Sequence, residues 1–150
     1  MKLLDELFEA VSTGLRNGTN LEKLAVLLSR YDGIDWKPYK YFTASHYTRY
    51  TYRLNDMLDM IIFCWEPGQV CPVHDLPAEG CMIRMLQGEL QITTYDLMNL
   101  PEVLSLNLLR GNDVITLPGA STGNEIKNVS GKRAVSLHLC APPNFRPNYF

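Results

Sequence analysis

The chain has 150 residues, a length typical of a single domain. Hydrophobic residues make up 46% of it and charged residues 20%, which excludes the disordered class, because disorder requires low hydrophobicity and high net charge. Fourteen basic residues against sixteen acidic ones give a net charge of −2, so there is no basic excess to bind phosphates, and no nucleic-acid partner is expected.

The first residues, MKLLDELFEAV, carry three acids within an apolar stretch, which is not the pattern of a secretory signal. The longest apolar run, residues 60–65, is far shorter than the ~20 residues of a membrane span. The four cysteines have neither CxxC nor zinc-ribbon spacing. We therefore expect a cytoplasmic protein without a membrane partner, whose cysteines are mostly reduced.

Residues 1–40 have a helical pattern. Apolar residues recur three and four positions apart and predict a first helix with one apolar face, at Leu3, Leu4, Leu7, Phe8 and Val11. Asn17-Gly18 is a typical helix end. Asn20 is a typical N-cap for a second helix, which we predict to continue to about Tyr31.

Residues 41–150 contain short apolar runs separated by turn residues. The runs predict strands at residues 60–65, 82–86, 89–95, 103–109, 114–117 and 134–139. Seven or eight short strands at such spacing are typical of an all-β sandwich or barrel. We therefore predict one domain overall, with a helical segment (residues 1–40) packed on a β-barrel (residues 41–150).

Six short motifs occur in the β region. They are YTR (47–49), FCWEPG (63–68), HDLPAEGC (74–81), MLQGEL (85–90), EIKNVS (125–130) and SLHLCAPP (136–143). In this order and with these separations they resemble the cysteine dioxygenase family, the thiol dioxygenases of the cupin superfamily. The resemblance implies a cupin-type jelly-roll β-barrel, or sandwich, with two N-terminal α-helices.

The resemblance implies ferrous iron held by three histidines, two from an H-x-H pair and one four residues before the asparagine that matches Asn128 of EIKNVS. This sequence has His74, Leu76 and Asn124 at those positions. Leucine has no donor atom, and a neutral amide oxygen is a weak ligand for ferrous iron. We therefore expect no cofactor. The alternative is Fe(II) or another divalent metal in a remodelled site of His74, Glu79 and Asn124.

Other positions of the family's site are retained. By resemblance, Arg49 pairs with a substrate carboxylate, and Tyr47 lies on the same face of the same strand. An internal ion pair of Arg49 with Glu79 or Asp59 is the alternative. The family also has a tyrosine two residues after the histidine of the SLHL motif, and this sequence has Cys140 at that position. Ser136 and His138 match the pair that holds this tyrosine in the family, and Cys81 matches the cysteine that crosslinks to it in some members.

Cys140 excludes the family's thioether crosslink, and the sequence leaves open whether Cys81 and Cys140 approach each other. His74 also has a structural interpretation, as an imidazole satisfied by hydrogen bonds. His138 is interpreted as a hydrogen-bonded core histidine, and His46 as a surface residue.

Three functions are compatible with these residues. The favoured one is a cysteine-dioxygenase-like cupin without dioxygenase activity that binds a small carboxylate-bearing molecule, with a thiol compound as one option. The second is an active metal-dependent dioxygenase that acts on cysteine or a related small thiol or carboxylate. The third is a structural or interaction scaffold. Whether the chain is an enzyme therefore stays open, because fold alone does not determine function.

Overall fold

The computed structural model describes residues 1–119 and 121–150 and places two helices before a series of antiparallel strands. The helices are α1 (Leu4–Arg16) and α2 (Leu21–Arg30), followed by a short 3-10 helix at Lys37–Tyr39. The strands are β1 (Thr48–Leu54), β2 (Asp59–Trp65), β3 (Val70–His74), β4 (Gly80–Gln87), β5 (Glu89–Asp96), β6 (Val103–Arg110), β7 (Val114–Leu117), β8 (Thr122–Lys127) and β9 (Ala134–Ala141). The predicted fold class, two helices and then strands, is confirmed.

At the start of each α-helix, a side chain accepts a hydrogen bond from a backbone amide of the first turn. The Asn20 side chain accepts a hydrogen bond from the Lys23 backbone N–H at 2.9 Å, as expected of an N-cap at the start of α2. At the start of α1, the Leu4 backbone N–H donates to the Asp35 carboxylate at 2.8 Å. Asp35 thus satisfies one of the free amides of the first turn of α1 and connects that helix to the segment after α2. Within the described ranges, no helix has the length and apolar character needed to cross a membrane.

The strands form two sheets. One sheet has the order β1-β2-β9-β4-β7 and the other has the order β3-β8-β5-β6. In the first sheet, β2 and β9 are buried on almost every residue, which explains their continuous apolar sequences. In the second sheet, β6 is an edge strand, and Leu109 is its one buried residue.

The two helices cover the outer face of the five-stranded sheet. Their buried residues form one cluster with alternate residues of β2, β4 and β9, among them Leu7, Phe8, Leu28, Met60, Ile62, Met82, Leu137 and Leu139. A second cluster lies between the sheets and includes Trp65, Ile83, Met85, Leu90, Ile92 and Ile126. Because successive strand residues point to opposite faces, the five-stranded sheet supplies both clusters, and its inner face is available to form a pocket.

Arg84 on β4 is 5% exposed and lies under the end of α2. Its guanidinium Nη1 donates to the carbonyl oxygens of Leu28, at 2.9 Å, and of Tyr31. These carbonyls are at the carboxyl end of α2, where backbone acceptors lack partners within the helix. Arg84 therefore joins the helical layer to the sheet, a role that sequence reasoning did not identify.

Gly80 opens β4, directly before the motif cysteine Cys81. Its φ is 84°, in the left-handed region that L side chains rarely adopt. A Cβ at this position would collide with the carbonyl oxygen of Leu117 on the neighbouring strand β7. The glycine of the HDLPAEGC motif thus permits the turn and the close strand approach that bring Cys81 to the inner face.

Candidate functional site

A pocket of about 100 Å³ lies between the two sheets, below the roughly 300–1,000 Å³ of pockets for drug-sized ligands, so it has room for a molecule of only a few heavy atoms. Its walls come from both sheets and from the C-terminal segment, and they comprise Tyr47, Arg49, Asp59, Ile61, Phe63, Trp65, Cys71, His74, Asp75, Leu76, Pro77, Cys81, Ile83, Leu117, Ile126, His138, Cys140, Phe145, Pro147 and Tyr149. Most of the candidate residues named from the sequence are therefore brought together here. Glu79, Asn124 and Ser136 are outside this lining.

His74 is the last residue of β3 and is 9% exposed. Its Nδ1 is 2.8 Å from the carbonyl oxygen of Pro72, an acceptor, so Nδ1 carries the proton and Nε2 keeps the free lone pair. Nδ1 is also 3.5 Å from the thiol sulfur of Cys71. Burial lowers the pKa of His74, although the Pro72 carbonyl opposes this shift, so the imidazole is neutral at pH 7.

The other two family ligand positions and Glu79 have different surroundings. Leu76 lies just beyond β3 and lines the pocket with a hydrocarbon side chain. Asn124 is fully buried, and its Oδ1 accepts a hydrogen bond from the Thr94 hydroxyl at 2.6 Å. Glu79 is exposed at the start of β4. In residues 1–119 and 121–150, no group of three or more His, Cys, Asp or Glu side chains is arranged to hold a metal ion.

Arg49 lies on β1, is exposed, and lines the pocket, so its guanidinium is at the rim. Its central carbon is 6.0 Å from the centroid of the Phe63 ring. Among the described residues Arg49 has no carboxylate within 4.0 Å, whereas Arg16, Arg53 and Arg133 all have ion-pair partners. An internal ion pair with Glu79 or Asp59 is therefore not formed, and the guanidinium is available to an anion.

Tyr47 lies two residues before Arg49 and immediately precedes β1, so it is not within the strand as expected. Its ring stacks on Trp65 with centroids 4.7 Å apart. Its hydroxyl donates to the thiol sulfur of Cys71 at 3.3 Å. Burial raises the pKa of Tyr47, and the hydrogen bond to Cys71 adds to this effect, so the phenol stays protonated. Together with Phe63 these rings form an aromatic wall below Arg49.

His138 lies on β9 with its ring 4.2 Å from the Phe63 ring. The Ser136 hydroxyl is 2.8 Å from Nε2 of His138, and the indole N–H of Trp65 donates to the same hydroxyl at 3.1 Å. Burial, together with the charges of His74 and Arg49, lowers the pKa of His138 to about 3. His138 is accordingly a neutral, hydrogen-bonded histidine in the pocket wall.

Cys81 and Cys140 lie directly opposite each other on β4 and β9, with Cα atoms 4.2 Å apart, and form a disulfide. Both residues line the pocket. The sequence left their proximity open, and the register of the two strands explains it. The expectation that the cysteines are mostly reduced is met by Cys64 and Cys71 but not by this pair. Cys140 also lies on the same strand face as His138, two residues away.

Asp59 and the C-terminal segment contribute groups that the motifs do not include. Asp59 is 5% exposed and lies opposite Cys140 in the β2–β9 register. Its Oδ2 accepts from the Asn144 backbone N–H at 3.1 Å, while Oδ1 has no partner among the described residues. The Tyr149 ring lies 5.8 Å from that of His74, and Asn148 donates two hydrogen bonds to Asp75. An irregular segment has no periodic pattern from which this docking could be predicted.

The sequence is similar to those of known proteins. The family model for cysteine dioxygenase type I matches residues 4–150. Cysteine dioxygenase type 1 of Rattus norvegicus is 29% identical over 151 residues, which cover 95% of this chain and 72% of the rat protein. The suspected family is thus confirmed over nearly the whole chain.

Solved structures support the fold. A Klebsiella pneumoniae protein with a double-stranded β-helix domain superposes with a TM-score of 0.63 at 14% identity and covers 75% of this chain and 86% of that one. A cupin superfamily protein from Desulfitobacterium hafniense gives a TM-score of 0.56 at 16% identity, covering 73% and 89%. The chain therefore has the cupin jelly-roll fold and belongs to the cysteine dioxygenase type I family.

Proposed function

We propose that this protein binds a small carboxylate in the pocket and does not perform the three-histidine iron chemistry that the family resemblance implies. The observation that carries the proposal is the unpaired guanidinium of Arg49 at the rim of a largely apolar pocket. A guanidinium binds a carboxylate through two parallel N–H bonds, and it does so more strongly where nearby apolar walls exclude water.

The donor set argues against the iron site. Of the three family positions, His74 offers an imidazole with Nε2 free, whereas Leu76 offers no donor. The side-chain oxygen of Asn124 already accepts a hydrogen bond from the Thr94 hydroxyl. A ferrous centre held by three imidazoles does not fit these residues, so no reaction step is assigned to a metal.

The alternative metal site of His74, Glu79 and Asn124 has less support. Glu79 is exposed and outside the pocket lining, and its backbone N–H is bonded to the Ala141 carbonyl at 3.0 Å. A glutamate ligand would need a different path of the chain before β4. The scaffold alternative does not account for the position of Arg49 at the rim of an aromatic-lined pocket without a carboxylate partner among the described residues.

Ligand-dependent thermal stability tests the carboxylate site. Acetate, propionate, 3-hydroxypropionate and succinate are each titrated into the wild type, Arg49→Gln and Arg110→Gln, the last a control at an exposed arginine of β6. A bound ligand stabilises by about 2.7 kcal/mol at 100 times its Kd. We expect a stabilising acid in the wild type and the control, with the effect lost in Arg49→Gln. If no acid shifts the melting temperature, the carboxylate site is refuted.

Metal content and oxygen consumption test the second half of the proposal. The protein is purified after iron supplementation, and its iron and zinc are measured before cysteine-dependent oxygen uptake is followed. We expect substoichiometric metal and no oxygen uptake. Stoichiometric iron that disappears in His74→Ala, accompanied by oxygen uptake with cysteine, would establish the active dioxygenase instead.

A further inference from the structure

The Cys81–Cys140 disulfide connects adjacent strands and lines the same pocket as Arg49. Resting on the carboxylate site proposed above, we propose that this disulfide is a thiol-exchange site that captures a small thiol carboxylate as a mixed disulfide. The inference adds a covalent step, at the Cys81–Cys140 disulfide, to what the pocket binds.

The surroundings of the two sulfurs determine which one a ligand reaches. Cys81 is 3% exposed, whereas Cys140 is half-buried. Exchange requires the incoming thiolate to reach one sulfur in line with the S–S bond, and accessibility is one of the factors that select the sulfur attacked. Cys140 is therefore the sulfur attacked, and Cys81 is the leaving group in the more buried position.

The exchange step needs no external oxidant. The ligand thiol loses its proton to solvent, and its sulfur uses an electron pair to form a bond with Sγ of Cys140. The S–S bond breaks, its electron pair leaves with Sγ of Cys81, and that thiolate takes up a proton. One disulfide has replaced another, the ligand sulfur and Cys140 are joined, and Cys81 is a free thiol.

The charges around the disulfide favour a ligand that carries a carboxylate. Arg49 provides the positive charge of the pocket wall, and its field extends to His138, two residues before Cys140. Asp59 faces Cys140 from β2 and repels free anions that Arg49 does not hold. A thiol anchored at Arg49 by its own carboxylate overcomes this repulsion, whereas a thiol without one gains nothing from the arginine.

The test is anaerobic incubation of protein purified without reductant, followed by non-reducing intact mass and peptide mapping. The probes are 3-mercaptopropionate and cysteamine, which carries an amine in place of the carboxylate. Anaerobic conditions matter because the free thiols Cys64 and Cys71 cannot form mixed disulfides without an oxidant. We expect one mercaptopropionyl group on Cys140 and one alkylatable thiol at Cys81.

Rates and variants separate capture from general disulfide reduction. With both rates expressed per thiolate, we expect 3-mercaptopropionate to react about tenfold faster than cysteamine, an advantage that Arg49→Gln removes and Arg110→Gln retains. No adduct should form in Cys81→Ser or Cys140→Ser, whose folding is checked by circular dichroism. The ratio of the two thiols' rates on the wild type compares a ligand that carries a carboxylate with one that does not, without any change of sequence.

The outcomes distinguish this inference from the carboxylate site. A melting-temperature shift with 3-hydroxypropionate, but no adduct with 3-mercaptopropionate, overturns the exchange site and leaves the carboxylate site intact. An adduct that forms equally fast with cysteamine, together with no thermal shift by any carboxylate, overturns both. Free thiols at both Cys81 and Cys140 in untreated protein overturn the exchange site alone.

Discussion

His74 on β3 lies directly opposite Asn124 on β8, so two of the three positions that the family resemblance assigns to iron ligands are neighbours across one strand pair. Leu76, at the remaining position, lines the pocket from the segment that follows His74. The backbone thus keeps the three positions close together. Only one of them, His74, carries an imidazole. The difference from a three-histidine site lies in side chains more than in the fold.

This relationship predicts that histidines can restore metal binding. We expect the double variant Leu76→His/Asn124→His to bind one Co²⁺ per chain, because three neutral imidazoles form a competent site for divalent first-row metals. The wild type and Leu76→His alone should bind far more weakly. Visible absorption of Co²⁺ during titration is the measurement.

The matched control adds His74→Ala to the double variant and should abolish the absorption. Replacement of the buried Asn124 also removes the acceptor of the Thr94 hydroxyl, so a loss of stability of about 1–3 kcal/mol is expected alongside. A double variant that is folded but binds no better than the wild type would contradict the placement of the three positions around one centre.

The low pKa of His138 predicts that acid destabilises the fold. Burial and the charges of His74 and Arg49 lower it to about 3, from an ordinary value near 6.5. Between these values the unfolded chain binds a proton that the folded chain excludes. Stability is therefore complete above pH 6.5 and falls by up to roughly 1.4 kcal/mol for each pH unit down towards 3.

Urea unfolding between pH 7 and pH 4.5 measures this slope. His138→Gln should flatten it, and His46→Gln, a change at an exposed histidine, should retain it. His74 contributes in the same direction, because burial also lowers its pKa. An identical slope in His138→Gln and the wild type would show that the imidazole is solvated or charged in the folded protein.

The buried carboxylate of Asp59 is expected to lower the stability of the folded protein. One of its oxygens accepts from Asn144, but Oδ1 is buried without a partner among the described residues. Asp59→Asn keeps an acceptor for the Asn144 N–H and removes the buried charge. We expect stability at pH 7 to rise by about 1 kcal/mol, measured by urea unfolding. Lower stability in Asp59→Asn would mean that solvent or a counter-charge satisfies the carboxylate.

Much of the fold follows from the sequence because its signals are local. The Asn20 cap of α2, the apolar runs of β2, β4 and β9, and the stripe of α1 from Leu4 onwards match the structure. Leu3, predicted on that stripe, precedes α1 and is exposed, because it lies at the cap rather than in the helix. β1 has the sequence TRYTYRL, is mostly exposed, and forms an edge of its sheet, so it lacks an apolar run. Edge position depends on tertiary pairing, which no local pattern encodes.

The site was predictable as far as the family motifs extend. The motif residues Tyr47, Arg49, His74 and Cys81 line one pocket although they are far apart in sequence. The contribution of Tyr149 was not predictable, because it depends on irregular backbone pairing, including the Phe150 N–H bonded to the Val73 carbonyl at 2.9 Å. Ligand positions transfer by alignment, whereas such packing contacts depend on the chain's own path.

Arg84 predicts the largest loss of stability from one substitution in the interface between sheet and helices. Arg84→Met keeps much of the apolar stem but removes the guanidinium donor of the Tyr31 carbonyl and leaves the Leu28 carbonyl with the Tyr31 backbone N–H alone. We expect unfolding free energy to fall by about 2–4 kcal/mol, with Arg84→Lys intermediate because one ammonium can reach fewer of these acceptors. Urea unfolding of both variants measures this loss. Arg30→Met, a change at an exposed arginine of α2, is the control. Hydrogen exchange should show the loss concentrated in α2, and an unchanged α2 in Arg84→Met would contradict the contact between β4 and the helix end.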